Sequence, residues 1–204
     1  MDELFRKLQY PFVFVDSSHA FRIGDTNIKK LTRSLLKKAP QKFLSLIEDI
    51  ENSGREDTLY YERIIQLQKQ GIISSLITCE AVNQRIIDSK TDVIHLFGTI
   101  NSMSICLCDN NLRKDEVPDL VLWGENVCYK TYIRATNAVL NASCIVVDGT
   151  ILSLQIGQLL LEHTTQHCPI YYLSDKKKGG NHTEYDLPPK EFIQLLSSVH
   201  RATD

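Results

Sequence analysis

No run of about 18 consecutive apolar residues, the length a membrane-spanning helix needs, occurs in this chain. A membrane span is therefore not expected. The amino terminus, MDELFRKLQYPFVFV, opens with acidic residues and has no long apolar stretch of the secretory kind. That predicts an intracellular protein, cytoplasmic or nuclear. Charge of one sign is also missing: the formal net charge is -2, too small to draw nucleic acid or an anionic membrane by a global field. Short basic runs at Lys29–Lys30, Lys37–Lys38 and Lys176–Lys178 read as solvated faces. No internal repeat and no low-complexity segment interrupts the chain.

What is present fits one soluble core. The 204 residues, 43% hydrophobic and 24% charged, can form a single domain over 1–204 with at most a small second lobe. Cysteines stand at Cys79, Cys106, Cys108, Cys128, Cys144 and Cys168, partly inside apolar segments. Without a secretory signal they are expected to be buried thiols rather than disulfides. Asn181–Thr183 matches a glycosylation acceptor, which an intracellular chain would never present for modification.

Short apolar bursts alternate with segments of helical spacing. Phe12–Val15, Ile72–Thr78, Val93–Phe97, Leu120–Trp123, Ser143–Val147 and Ile170–Leu173 read as strands. Helical spacing runs over Asn27–Leu36, Lys42–Ile50, Leu59–Gln70, Leu152–Thr164 and Glu191–His200, with breaks expected at Ala39–Pro40, Ser53–Gly54 and Gly71. Cys79–Asp92 has modest helical content. This alternation predicts βα crossovers around a parallel sheet.

Such a sheet binds dinucleotides through a tight glycine turn after its first strand. Here the first strand runs into VDSSHAFRIGD, with no glycine between Val15 and Ile23. Ser17 and Ser18 are read as an ordinary turn, with helix capping or anion binding through their hydroxyls as the alternative. Thr78 ends the second strand, on the side where active sites of open α/β sheets gather. Glu80 just beyond it is an acid or base in principle, and a cap by the plainer reading.

Three stretches carry a resemblance: GIISSLITCEAVNQRIIDSKTDVIHLFGT at Gly71–Thr99, PDLVLWGENV at Pro118–Val127 and VVDGTILSL at Val146–Leu154. In that order they resemble the sirtuins, the NAD-dependent protein deacylases. The likeness extends from about Tyr10 to Leu173 and is firmest between Leu59 and Leu154. It implies a Rossmann-type parallel sheet flanked by helices, with a small zinc lobe that is here reduced or absent and survives as a remnant over 99–117.

The same resemblance implies that the functional positions have been replaced. Phe97 stands at the family's catalytic histidine, and an aromatic ring cannot take the proton that an imidazole takes. His95, two residues earlier, sits where the family has an acidic residue and is expected to make a structural hydrogen bond. As a substitute base it would lie about 6–7 Å back along the strand, a large displacement for catalysis. Cys79 and Glu80 replace the Gln–Asn pair that orients nicotinamide, and Val82 replaces an Asp. Phe21–Arg22 looks like a remnant of the cofactor loop, with Arg22 the charge able to meet a phosphate. Gly149–Thr150 resembles a glycine–threonine–serine turn whose serine has become Ile151.

The family's zinc module uses two CxxC pairs. This chain offers Cys106 and Cys108 alone in that region, and no cysteine or histidine from Asp109 to Asp119. Four ligands are needed, so no metal is expected. Val121, Leu122, Trp123, Gly124 and Glu125 correspond to the channel that receives the acyl-lysine peptide, and would form a substrate or partner groove; Trp123 is equally a core residue by its rarity.

The leading expectation is a catalytically inactive sirtuin-like protein, without cofactor, acting as a protein-binding or assembly module and self-associating into a homo-oligomer. The competing expectation is an NAD-dependent enzyme (deacylase, ADP-ribosyltransferase or NAD hydrolase) with a site rebuilt from Glu80, Arg22, His19 or His95. A third is a structural partner in a larger complex, docked through the shortened lobe.

Overall fold

The computed structural model describes residues 2–17, 30–54, 58–81, 89–99, 121–122, 124–174 and 184–201. Six parallel strands form one sheet: β1 (Phe12–Asp16), β2 (Ile73–Thr78), β3 (Val93–His95), β4 (Ile145–Asp148), β5 (Ile170–Ser174) and β6 (Glu184–Asp186). Their spatial order is β3-β2-β1-β4-β5-β6. β1 therefore lies at the centre, with Phe14 opposite Leu76 on one side and Val146 on the other.

The side-chain period of two divides the core between the faces of the sheet. Phe12 and Phe14 of β1 join Leu76, Val146 and Leu173 on one face, with Tyr61, Ile64, Phe192 and Leu196. That face is covered by α1 (Asp2–Lys7), α4 (Thr58–Lys69) and α7 (Pro189–Arg201). Val13 and Val15 join Ile77, Ile145 and Val147 on the other face, beneath Ala135, Val139 and Leu160 of α5 (Tyr129–Leu140) and α6 (Gln155–Leu161). Strands apolar on both sides are what a doubly covered parallel sheet requires.

Local signals explain most boundaries. Ala39 caps α2 (Arg33–Lys38), and Pro40 opens α3 (Pro40–Gly54), where its missing N–H costs nothing. Gly71 follows α4 at φ +74°, a conformation that favours glycine at a helix end. Several expectations are corrected. The helix expected over Asn27–Leu36 begins, among described residues, at Arg33, where the Thr32 hydroxyl accepts the Leu35 N–H at 3.1 Å. Ser53–Gly54 belongs to α3 rather than to a loop. Leu152–Thr164 divides into a 3₁₀ turn, Gly149–Ser153, and α6.

A strand follows Ile170–Leu173, the last one expected: β6 pairs with β5 through Leu173 and Tyr185. Two helices escaped the reading. α1 is short, and its buried Leu4 and the Phe5 ring stacked on Phe192 at 5.8 Å reflect distant packing. α5 hides its apolar stripe among polar residues. Cys128 is exposed rather than buried, Cys168 half-buried, and Cys79 and Cys144 buried; all four are free thiols. No helix among the described residues is long and apolar enough to cross a membrane.

Candidate functional site

The strand order reverses direction beside β1, between β1 and β4, and ligands of open α/β sheets bind outside the carboxyl ends at such a switch point. Asp16 ends β1, Thr78 ends β2 and Asp148 ends β4. The three side chains arrive there through strand register alone, since Asp16 is opposite Thr78 and Val15 opposite Val147. All three are buried, as is Glu80 just past β2.

Asp16 is the hub. Thr78 Oγ1 donates to its Oδ2 at 2.7 Å, Tyr60 Oη to Oδ1 at 3.0 Å, and Tyr61 Oη lies 3.2 Å from Oδ2. Tyr61 Oη is also 3.3 Å from Glu80 Oε2. One phenolic proton cannot serve two carboxylates at once. A proton on Asp16 resolves the conflict. In keeping with this, burial first and then the neighbouring Asp148 push the Asp16 carboxyl up to about 7, against the pull of its hydroxyl donors.

Asp148 organises the second half of the site. The Ser17 hydroxyl donates to its carboxylate, and Thr150 supplies both its N–H, at 3.0 Å, and a hydroxyl contact, at 2.8 Å, to Oδ1. Thr150 and Ser17 hydroxyls are themselves in contact. Ser17 therefore bridges the ends of β1 and β4 rather than forming a free turn. Gly149 is required here for space, because a Cβ on it would come within 2.9 Å of the Leu173 carbonyl oxygen.

On the far side of β2, His95 ends β3, and its Nδ1 lies 2.7 Å from the Glu80 carbonyl oxygen. A carbonyl accepts, so Nδ1 carries the proton. This is the structural hydrogen bond expected of His95. Burial lowers its pKa, which keeps the ring neutral at physiological pH. Phe97 is not on the strand, as the reading over Val93–Phe97 required. It lies in the turn after β3, half-buried against the Ile77–Val147 side of the core, and its carbonyl accepts the Val121 N–H at 2.8 Å. Positions 95 and 97 are therefore not two steps along one strand, and the spacing of about 6–7 Å expected from strand geometry does not apply.

Val121 and Leu122 are likewise not in a strand. They lead into a turn at Gly124 whose Glu125 carboxylate accepts the Leu122 N–H at 3.0 Å. Arg33 of α2 clamps that carboxylate through two bonds of 2.8 and 2.9 Å, which holds its pKa below the usual range. Ser18, His19, Arg22, Val82, Cys106, Cys108, Trp123 and most of 99–117 lie outside the described residues. Among the described residues no group of three or more His, Cys, Asp or Glu is arranged to hold a metal ion.

The structure thus gathers Ser17, Thr78, Glu80, Gly149 and Thr150 at one switch point, with His95 behind Glu80, and sets Val121, Leu122, Gly124 and Glu125 apart in the turn that Arg33 holds. Sequence reasoning missed Asp16, Asp148, Tyr60, Tyr61 and Arg33. The signal for the two aspartates was available: each follows an apolar strand directly, FVFVD and IVVD. The tyrosines looked like ordinary apolar positions of α4. Glu80 is accordingly no lone acid but one of three buried carboxyl groups. Three buried carboxyl groups repel an anion such as a pyrophosphate, and Asp148 already takes the Thr150 N–H that could have bonded one.

No family model matches the chain, and no curated protein matches it. Solved structures do. A Sir2 structure in complex with the inhibitor EX-527, 2'-O-acetyl-ADP-ribose and a deacetylated p53 peptide superposes with a TM-score of 0.67 at 15% identity, over 98% of this chain and 99% of that one. A Sir2 complex with a p53 peptide and NAD+ gives 0.67 at 15% identity, covering 98% and 97%. Sir2Af2 bound to a myristoylated histone peptide gives 0.65 at 16% identity, with both chains covered completely, 100% and 100%. This chain has the sirtuin fold.

Proposed function

We propose that this protein is a sirtuin-fold pseudoenzyme: it keeps the scaffold, does not run NAD-dependent deacylation, and acts inside the cell, in cytoplasm or nucleus, as a protein-binding or assembly module that self-associates. The observation carrying this reading is the switch point itself. Asp16, Glu80 and Asp148 are buried there and bonded to Tyr60, Tyr61, Thr78, Ser17 and Thr150, so the polar groups of the cleft satisfy one another instead of a ligand. Phe97 beside it has no proton to exchange.

A surface for association is supplied by α5. Tyr129, Ile133 and Leu140 are 76%, 38% and 43% exposed, and their spacing of four and seven residues sets them in one stripe along the helix. Apolar side chains in such a row support protein contact. Titration with NAD, followed by calorimetry and nicotinamide release, tests the first half of the reading. No saturable heat and no release are expected, and micromolar binding with turnover of an acylated peptide overturns it. Solution mass of the wild type and of Ile133→Glu tests the second half: a dimer that the charge converts to monomer is expected, and a wild-type monomer rules out self-association.

One observation favours the enzyme reading. A carboxyl group titrating at about 7 at a strand carboxyl end is a proton carrier matched to neutral pH. In that reading Asp16 replaces the imidazole as acid and base for N-ribosyl cleavage. Nicotinamide release that Asp16→Asn abolishes, without loss of folding, would select it.

A further inference from the structure

A cleft of about 420 Å³ opens at the opposite, amino-terminal end of the sheet, between the last turn of α5 and the starts of β1–β4. Its floor is apolar, made by Val13, Ile94, Ala138 and Ala142. The alanines are the reason it exists, because larger side chains there would close the gap between helix and sheet.

Its rim is polar, and the hydrogen-bond directions on it are decided. The Ser74 hydroxyl donates to the Phe12 carbonyl at 3.0 Å, and the Ser143 hydroxyl to the Pro11 carbonyl at 3.0 Å. The Ser75 hydroxyl lies 2.9 Å from Asp92 Oδ2 and donates to it. The Asn141 amide donates to the Asn137 carbonyl at 2.8 Å. Carbonyl and carboxylate oxygens only accept, so these protons are committed to the protein. What the serines leave for a ligand is oxygen, lone pairs on Ser74 and Ser143, beside Asn141 Oδ1 and the Asp92 carboxylate; the Asn137 and Asn141 amides can turn either an oxygen or an N–H to it. The α5 carboxyl terminus adds the negative end of its dipole. One cation, Arg134, stands at the rim, and it is held by Asp92 at 3.1 Å in an ion pair more than half exposed on both sides.

The geometry points to a binding site for an aliphatic ammonium, its alkyl stem on the Val13–Ala142 floor and its charged end on the acceptor rim at Asp92. A primary amine brings three donors to the serine oxygens and the Asp92 carboxylate and competes with Arg134 for that carboxylate. Anions are disfavoured by the Asp92 carboxylate and by the negative end of the helix dipole. The ligand is either a free diamine or the side chain of a lysine in a peptide, which share this chemistry. The site is on the other end of the sheet from Asp16 and does not depend on the reading given above.

Calorimetric titration at low salt with butane-1,4-diamine, with a capped lysine tripeptide and with butanoate tests the proposal. Saturable binding of at least one amine and none of butanoate is expected. Asp92→Asn, which keeps an oxygen for Ser75, is expected to weaken amine binding about tenfold. Arg134→Gln is expected to tighten it several-fold by freeing Asp92, a change that a merely structural arginine would not produce. Tighter binding of the tripeptide assigns a protein ligand, and tighter binding of the diamine a free one. No saturable amine binding up to millimolar concentration, equal binding of butanoate, or indifference to Asp92→Asn overturns the assignment.

Discussion

The two ends of the central strands obey opposite rules. At the carboxyl end, buried carboxyl groups and hydroxyls turn toward one another, and Asp16 alone takes contacts from Thr78, Tyr60 and Tyr61. At the amino end, the serine hydroxyls turn inward to backbone carbonyls and leave their lone pairs facing a cleft. The difference is one of reach. Strand carboxyl ends are crossed by α4, which brings two phenols over Asp16, whereas the amino end faces the alanines of α5. A polar cluster closes when a neighbouring helix supplies long donors, and stays open when it supplies methyl groups.

The largest expected effect comes from breaking the closed end electrostatically. The Asp16 carboxyl is raised from 3.8 to about 7 in the folded protein. The folded state therefore binds more protons than the unfolded state between those values, and stability falls as pH rises through that window. Its contribution is full below about pH 4 and gone above about pH 7. At 1.36 kcal/mol per unit the loss is on the order of 4 kcal/mol. Urea unfolding at pH 4.5 and pH 8 measures it. Asp16→Asn, permanently uncharged, is expected to flatten most of that dependence and to be the more stable protein at pH 8. An unchanged slope would mean that the carboxyl groups are not coupled as drawn.

Tyr61→Phe removes the phenol that stands between Asp16 and Glu80. It is expected to cost about 1–3 kcal/mol at pH 8, where the ionised Asp16 needs every donor. The cost should be smaller at pH 5, where Asp16 carries its own proton. A cost independent of pH would make Tyr61 a packing residue.

The sheet was legible because its evidence is periodic. Five of six strands announced themselves as apolar runs of three to six residues, and Gly71 and Pro40 marked real ends. β6 was not legible: Glu184–Asp186 is polar and sits at the edge, where pairing with β5 carries it. The placement of the candidate residues was legible only in part. Thr78 ends its strand and Gly149–Thr150 follow theirs, as the sequence placed them, but Glu80 read as a cap and Asp16 and Asp148 as ordinary strand-end residues. Their meaning comes from lying side by side across residues 16 and 148, a relation no local window contains. Trp123 and Arg22, prominent in the sequence, lie outside the described residues.

α5 ties the two ends together and carries an internal fault. Thr136 is buried, and its Oγ1 has no hydrogen-bond partner. Burying an unpaired hydroxyl is unfavourable, so Thr136→Val is expected to stabilise the protein by about 1 kcal/mol, read as a higher urea midpoint with an unchanged slope. A destabilised variant would place a partner on that hydroxyl.

The smallest expected effect leaves stability untouched and uses α5 as a probe of both ends. Cys128 lies at its N-cap position, exposed, and the backbone N–H groups of Thr131 and Lys130 lower its pKa. Cys79 and Cys144 are buried, and burial raises theirs, Cys144 to about 11. A thiolate is the reacting species, so iodoacetamide at pH 7.5, mapped by peptide mass, is expected to label Cys128 well before Cys79 or Cys144 in the folded protein. Unfolding in urea should erase the order. The helix that lowers a thiol pKa at its amino end is the one whose carboxyl end favours a cation in the cleft, so slow labelling of Cys128 would weaken the case for the dipole at both.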